Sequence, residues 1–484
     1  MAEKKRKIIK GLFILIICII ICTHAYSNTA YGRLTGVNWF GFETANYVVH
    51  GVWARDYKSV LKQIADLGFN CIRLPWCNEM LNKTPTSVQI NEYGTDAYTG
   101  ETGLNLDLEG LSSLEVMDKI IQVAGEYGLY IILDNHSRAA DGYMNETLWY
   151  TSGVSESRWI SDWEMMVKRY RDYSNVIAVD LNNEPHGTTG SGMKPPASWG
   201  YNVEGYGNTD WRAAAIKAGQ AVLSINPDLL VIIEGVEEYP RGEGYWWGGN
   251  LQGVRDYPIT TIPSRNLVYS AHEYGSSVFK QTWFSAPDFP NNLYAIWDKQ
   301  FNFVELEGIA PLFIGEFGIT DMAADTPGST DYVWLSTFMK YVGSRSSWTF
   351  WCMNPNSGDT GGILKQDWVT VNQSKMDLLR PYLAKSGETS PPVNTPTPTP
   401  EVTDAPTPTS EITPMITPEV SELGDVNDDG IVNIVDALLV AKYYVDKTVV
   451  LNEANADVDC NSAINIIDAL LIAQFYVKII NNFC

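Results

Sequence analysis

Eight short apolar runs punctuate the chain between residues 34 and 355, and stretches with apolar positions three to four apart separate them. The runs occupy 34–42, 71–76, 130–136, 176–185, 229–236, 267–275, 312–318 and 347–355. Unbroken hydrophobicity over so few residues predicts strands buried on both faces. The intervening pattern predicts helices at 57–67, 114–127, 157–170, 210–225, 293–307 and 331–342. Gly68 and Gly128 follow the first two, and Asn226-Pro227 closes the fourth. Glycine just past a helix and proline beyond it are stop signals. The fifth crossover carries little helical pattern. Eight β–α units of about 40 residues predict a closed parallel (β/α)8 barrel. A doubly wound open sheet is the alternative.

The pattern stops at about residue 387. Residues 388–423 interleave proline with threonine, and nine of the 24 prolines lie between Pro391 and Pro418. Proline fixes φ and removes a donor, so this is an extended, solvated linker. A second folded segment follows at 424–484. At the other end, Lys4, Lys5, Arg6, Lys7 and Lys10 precede an apolar run from Gly11 to Cys22. Twelve apolar residues behind a basic segment predict a secretory signal over 1–27, with an uncleaved anchor as the alternative. The expected product is extracellular and, once cleaved, free of the membrane. The barrel is then expected over 28–387.

Composition narrows the partners. The net charge of −23 argues against nucleic acid or an anionic membrane surface, which need a basic face. Sixteen Trp and 26 Tyr suit either a large aromatic core or a surface that stacks on sugar rings. Five of the seven Cys lie beyond the signal, so at least one thiol stays unpaired within a monomer. A Cys460–Cys484 bridge is conceivable.

In a barrel of this kind chemistry sits where each strand meets the following loop. The second run carries Arg73, the third ends at His136, and the fourth at Asn183 and Glu184. The sixth ends with His272 and Tyr274, the seventh carries Glu316, and the eighth Trp351. Two carboxylates three strands apart are the machinery for breaking a glycosidic bond. One holds a proton for the leaving oxygen and the other stays ionised. Arg73 favours the charged form of its neighbour, and Tyr274 is placed to donate to the same carboxylate. His136 and His272 are expected to hold substrate hydroxyls or relay hydrogen bonds, and Trp351 to floor a sugar ring. No HExxH motif or close His pair is present, so no cofactor is expected in catalysis. GxSxG, Walker and GxGxxG patterns are absent too.

The stretches LNNEPHG, SAHEYG, IGEFG and WTFWCMNPNSGDTGGILKQDW resemble glycoside hydrolase family 5, as do GVNWFGFET at 36–44 and YWWGGNLQG at 245–253. The resemblance implies eight active-site positions: Arg73, His136, Asn183, Glu184, His272, Tyr274, Glu316 and Trp351. It implies Glu184 as acid/base, Glu316 as nucleophile, Asn183 on the sugar 2-hydroxyl, and retention of anomeric configuration. It further implies that Trp39, Trp247 and Lys365 line a glycan cleft. The closest branch is that of cellulases, so the expected substrate is a β-1,4-glucan. A mannanase or mixed-linkage glucanase and a catalytically inactive glycan-binding module are the alternatives.

The C-terminal segment is a duplication, with 424–445 repeated at 456–477. Asp425, Asn427, Asp429, Asn433 and Asp436 stand at positions 1, 3, 5, 9 and 12 of a calcium loop, with Gly430 at the sharp turn. Position 7 would use the Ile431 carbonyl. The second loop offers Asp457, Asp459, Asn461, Asn465 and Asp468, with the Ala463 carbonyl at position 7 and Ser462 in place of glycine. Oxygen donors at this spacing wrap one hard cation, so two structural Ca2+ sites are expected. One apolar helix follows each loop. The arrangement resembles a small all-α dockerin, which implies a cohesin module on a scaffold protein as partner. Ile434, Val435, Ile466 and Ile467 hold the positions that help choose that partner in the family.

Overall fold

The computed structural model describes residues 31–384, 423–427, 432–445, 447, 449–476 and 483. The expected signal, almost all of the expected linker, and Asp429 and Ile431 of the first calcium loop lie outside the described residues. The chain divides into two compact units.

The first unit is a closed barrel of eight parallel strands. They are β1 (Thr35–Asn38), β2 (Cys71–Cys77), β3 (Tyr130–Ser137), β4 (Val176–Asp180), β5 (Leu230–Glu234), β6 (Leu267–Tyr274), β7 (Leu312–Gly318) and β8 (Ser347–Phe350). Each strand pairs with its neighbours in sequence, and β8 closes on β1 through Thr35 opposite Trp348. Every strand residue is buried. That explains the unbroken runs, because helices cover the outer face and side chains fill the inner one. On the side away from β8, β1 lies tight against β2, where a Cβ on Gly36 would lie 2.1 Å from the Cys71 carbonyl oxygen.

The expected helices form with the caps that their flanks supply. Asp56 caps Tyr57–Asp66, Ser112 and Glu115 build a capping box for Ser113–Glu126, and Ser155 and Asp210 cap Glu156–Tyr170 and Trp211–Ile225. The weak fifth crossover yields one four-residue turn, Gly253–Asp256. The expected helix at 293–307 is instead interrupted by a π segment, Asp298–Asn302, between Leu293–Trp297 and Phe303–Leu306. A small hairpin, Asn91–Thr95 with Thr102–Leu104, was not expected.

The barrel interior changes character along its axis. At the strand starts it is apolar, with Leu34, Tyr130, Ile132, Leu230, Ile232, Val268 and Phe313 in one cluster. Two residues further along the same strand faces stand Asp134 and Glu234, and β2 contributes Arg73 after Cys71. Since side chains alternate with a period of two, the face that packs the bottom carries charge at the top. Ten of the sixteen tryptophans are almost wholly buried, so most of the aromatic excess belongs to the core. Cys71, Cys77 and Cys352 are buried and free, and Cys460 is disulfide-bonded; Cys484 lies outside the described residues.

In the second unit, helices Ile434–Val445 and Ile466–Tyr476 pack together over Val426, Ala437, Val440, Val458 and Ile472. Among the described residues, no helix is long and apolar enough to cross a membrane.

Candidate active site

Arg73 sits at the centre of the barrel mouth with no solvent exposure. Its Nε donates to Asp180 Oδ2 at 2.9 Å, and its Nη1 to Glu316 Oε1 at 2.7 Å and Asn38 Oδ1 at 3.1 Å. Asp134 Oδ2 also lies 3.1 Å from Nη1. Its Nη2 donates to Asn183 Oδ1 at 3.0 Å and Glu234 Oε1 at 3.1 Å. Four carboxyl groups thus share one buried cation. They cannot all ionise in such surroundings, and burial pushes Asp180 and Glu234 well above the usual carboxylate range even against the pull of Arg73.

Glu316 goes the other way. Burial would raise it, but His272, Arg73 and His136 together outweigh burial and hold it below its ordinary value. The Tyr274 hydroxyl donates to its Oε2 at 2.6 Å and adds to the effect. Glu184 stands just beyond β4, hydrogen-bonded from Oε1 to His272 Nδ1 at 2.9 Å, with 18% of its side chain exposed. Burial, with repulsion from Glu316, pushes it up to about 7 despite the His272 hydrogen bond. Oxygens of Glu184 and Glu316 and a nitrogen of His272 lie within 4.8 Å of one another.

The two carboxyl groups open onto a cleft of about 640 Å³. His136, Asn183, Tyr274, Trp247 and Trp351 line it. Asn183 gives its oxygen to Arg73, which leaves its amide hydrogens for the cleft. His136 is held by Asp134 Oδ2 at 2.6 Å from Nδ1 and lies face to face with Trp351 at 5.6 Å. Trp351, joined to Cys352 by a cis peptide bond, also stacks on Phe40 at 5.5 Å. A second aromatic group, Tyr245, Trp246, Trp247 and Phe279, lines the same cleft. There Trp247 rests flat on His186 at 3.8 Å.

Arg73 and His272 have no exposure and lie beneath the cleft lining, Arg73 against its acidic neighbours and His272 against Glu184, so neither meets a sugar directly. Two expected cleft residues lie elsewhere. Trp39 is buried and donates its indole N–H to the His50 carbonyl. Lys365 is exposed on a turn closed by its N–H to the Thr370 carbonyl, outside the cleft lining. Conversely, Asp134, Asp180 and Glu234 escaped the reading of strand ends. The available signal was an acid interrupting a buried run, which needs a cation across the barrel.

In the second unit, oxygens of Asp457, Asp459 and Asp468 converge within 4.8 Å. Asp468 is buried and accepts the Val458 N–H at 3.0 Å and the Asn465 N–H at 2.8 Å. Asp436 repeats this, accepting from Val426 at 2.9 Å and Asn433 at 2.8 Å. The last ligand position of each loop is therefore fixed by backbone, and the donor set fits a hard cation. Asn461 turns its amide onto Asp459 Oδ2, and the Ala463 carbonyl accepts from Asn465. The neighbouring Val435, Ile466 and Ile467 are exposed.

A model of the cellulase family, glycosyl hydrolase family 5, matches residues 28–357. The chain belongs to that family. A dockerin type I model matches residues 423–475, so this family 5 chain also carries a dockerin domain. An endoglucanase of Paenibacillus polymyxa is 44% identical over 71% of this chain and 81% of its own length. Endoglucanase G of Acetivibrio thermocellus is 36% identical over 74% and 69% respectively. A complex of a Pyrococcus horikoshii endocellulase variant with cellotetraose superposes with a TM-score of 0.64 at 39% identity, over 73% of this chain and 93% of that one.

The family 5 barrel should depend on Arg73 for stability in a pH-dependent way. In Arg73→Met the buried acids lose their cation: Asp180 and Glu234, already raised, climb further, and Asp134 and Glu316 rise from below their unfolded values to above them. That favours folding at low pH and is lost as pH rises. Urea unfolding should show a loss of about 3–5 kcal/mol at pH 7 and clearly less at pH 5. Equal losses at both pH values would contradict the charge-sharing account.

Proposed function

We propose that this chain is a secreted, retaining endo-β-1,4-glucanase held on a scaffold through its dockerin. One observation carries the reading. Glu184 and Glu316 are the same functional group, 4.8 Å or less apart at their oxygens, with proton affinities pushed in opposite directions. So short a separation suits direct attack rather than an interposed water. Glu316, ionised, attacks the anomeric carbon as Glu184 gives its proton to the leaving oxygen. Glu184 then takes a proton from water, which releases the sugar from Glu316. Asn183 orients the adjacent hydroxyl, and the two aromatic groups hold rings on either side. The endoglucanase relatives and the cellotetraose bound in the Pyrococcus horikoshii protein support a β-1,4-glucan as substrate.

The domain assignment follows: a signal over 1–27, the catalytic barrel over 28–387, a linker over 388–423 and the dockerin over 424–484. The dockerin holds two structural Ca2+ ions and meets a cohesin through Val435, Ile466 and Ile467, together with position 434, whose side chain lies outside the described residues.

The pH profile tests the two acids. kcat/KM should fall above about pH 7, where Glu184 loses its proton, and on the acid side only below the ordinary carboxylate range, where Glu316 gains one. Glu184→Ala should abolish the alkaline limb and slow cellulose cleavage ~100-fold or more, while sparing kcat/KM for aryl glycosides with good leaving groups. Equal losses on both substrates would reject the assignment.

Substrate choice is read from reducing ends released from amorphous cellulose, glucomannan and pure mannan, with Glu316→Ala as control. Activity on cellulose that the control lacks is expected. Release from mannan alone would keep the mechanism and overturn the substrate.

Calcium removal tests the tail. Ligands that bind only the folded state stabilise it by about 4 kcal/mol at a thousand times Kd. In calorimetry of the whole chain, a chelator should lower the dockerin transition and leave the barrel transition in place. A dockerin indifferent to the chelator would contradict the two-site reading.

A further inference from the structure

Glu184 has an unusual backbone. Its φ of +46° lies in the left-handed region that side chains other than glycine seldom occupy. Such a conformation persists only where its surroundings hold it. Three contacts do so here. The Glu184 amide donates to Glu234 Oε2 at 2.8 Å, its carbonyl accepts from His186 Nδ1 at 2.6 Å, and its carboxyl meets His272 Nδ1 at 2.9 Å.

Glu234 makes the first of the three and borders the third. Besides the amide, its Oε1 lies 3.2 Å from His272 Nε2, behind the imidazole that faces the Glu184 carboxyl. It has no exposure and is not part of the cleft wall, so it does not touch the glycan. Arg73 fixes Glu234 from the opposite side at 3.1 Å. The chain at Gly248 then closes over the contact. A Cβ there would lie 2.2 Å from Glu234 Oε2 and 3.3 Å from Glu184 Cα, at a φ of +65°. The residue beside it is Trp247, so the aromatic platform and the acid are both referenced to the end of β5.

We propose that Glu234 is a positioning residue for Glu184, clamping the backbone amide of the acid so that its carboxyl reaches the leaving oxygen. The inference rests on the reading of Glu184 as the acid/base. Its signature is selective. A misplaced acid slows substrates that need a proton on the leaving group and spares those that do not. A residue that merely supported the fold would slow both alike.

The test uses the full chain with Glu234→Leu, Glu234→Gln and, in parallel, Glu184→Ala. kcat/KM is measured for cellohexaose and for dinitrophenyl cellobioside, whose leaving group departs without a proton. Glu234→Leu, which cannot accept the amide hydrogen bond, should lose ~100-fold on cellohexaose and less than about threefold on the aryl glycoside. Glu234→Gln keeps one acceptor oxygen for the Glu184 amide but sets its NH2 against Arg73, so it should lose about tenfold on cellohexaose, clearly less than Glu234→Leu. Parallel losses in Glu234→Leu, or a Gln variant as impaired as the Leu one, would overturn the proposal. Should Glu234→Leu fail to fold, Gly248→Ala asks the same question by displacing the carboxyl. A split between the substrates supports the clamp, and parallel loss overturns it. If Glu184→Ala itself shows no split, the acid/base reading falls and the clamp with it. If Glu184→Ala splits and the Glu234 variants do not, the clamp alone falls.

Discussion

The guanidinium of Arg73 is the fixed point of the barrel mouth. It reaches carboxyl groups on or just beyond β3, β4, β5 and β7 and amides on β1 and beyond β4, all from a position without solvent. A buried cation of this kind is costly unless every donor finds an acceptor, and Arg73 satisfies that condition through its planar fork. The same condition constrains the acids. With one cation among four carboxyl groups, some must keep protons, and which ones do is set by distance and burial rather than by residue type.

That constraint separates the two carboxylates of the cleft. Glu316 lies against Arg73 and Tyr274 and is held below its ordinary value, while Glu184 lies further out, with its carboxyl on His272, and is pushed up to about 7. Paired groups whose surroundings push them apart are what acid/base chemistry near neutral pH requires. Burial beneath an aromatic cleft supplies the low polarity that makes such small differences in distance count.

The C-terminal unit is built on a different economy. Among the described residues its core holds seven buried apolar side chains, and in the second loop carboxylate oxygens of Asp457, Asp459 and Asp468 converge. A unit so small needs a staple, and cation binding coupled to folding is one. The backbone contacts to Asp436 and Asp468 show how the helix that follows each loop begins where the loop ends.

Much of this was legible in the sequence because it is local. Eight buried runs, helical periodicity, glycine stops and the duplicated oxygen-rich loop are fixed by neighbours within a few positions, and so the barrel, its crossovers and the C-terminal domain followed. Residues at strand ends were legible too, since a parallel barrel places them on one rim by topology alone. What only the tertiary structure decided is non-local. Asp134, Asp180 and Glu234 stand on three separate strands and share Arg73, a cation 61 to 161 positions away. Trp39 and Lys365 fell outside the cleft lining, because a side chain's direction depends on what packs around it. The proton affinities of Glu184 and Glu316 depend on burial and on charges from other strands, and no local pattern encodes either.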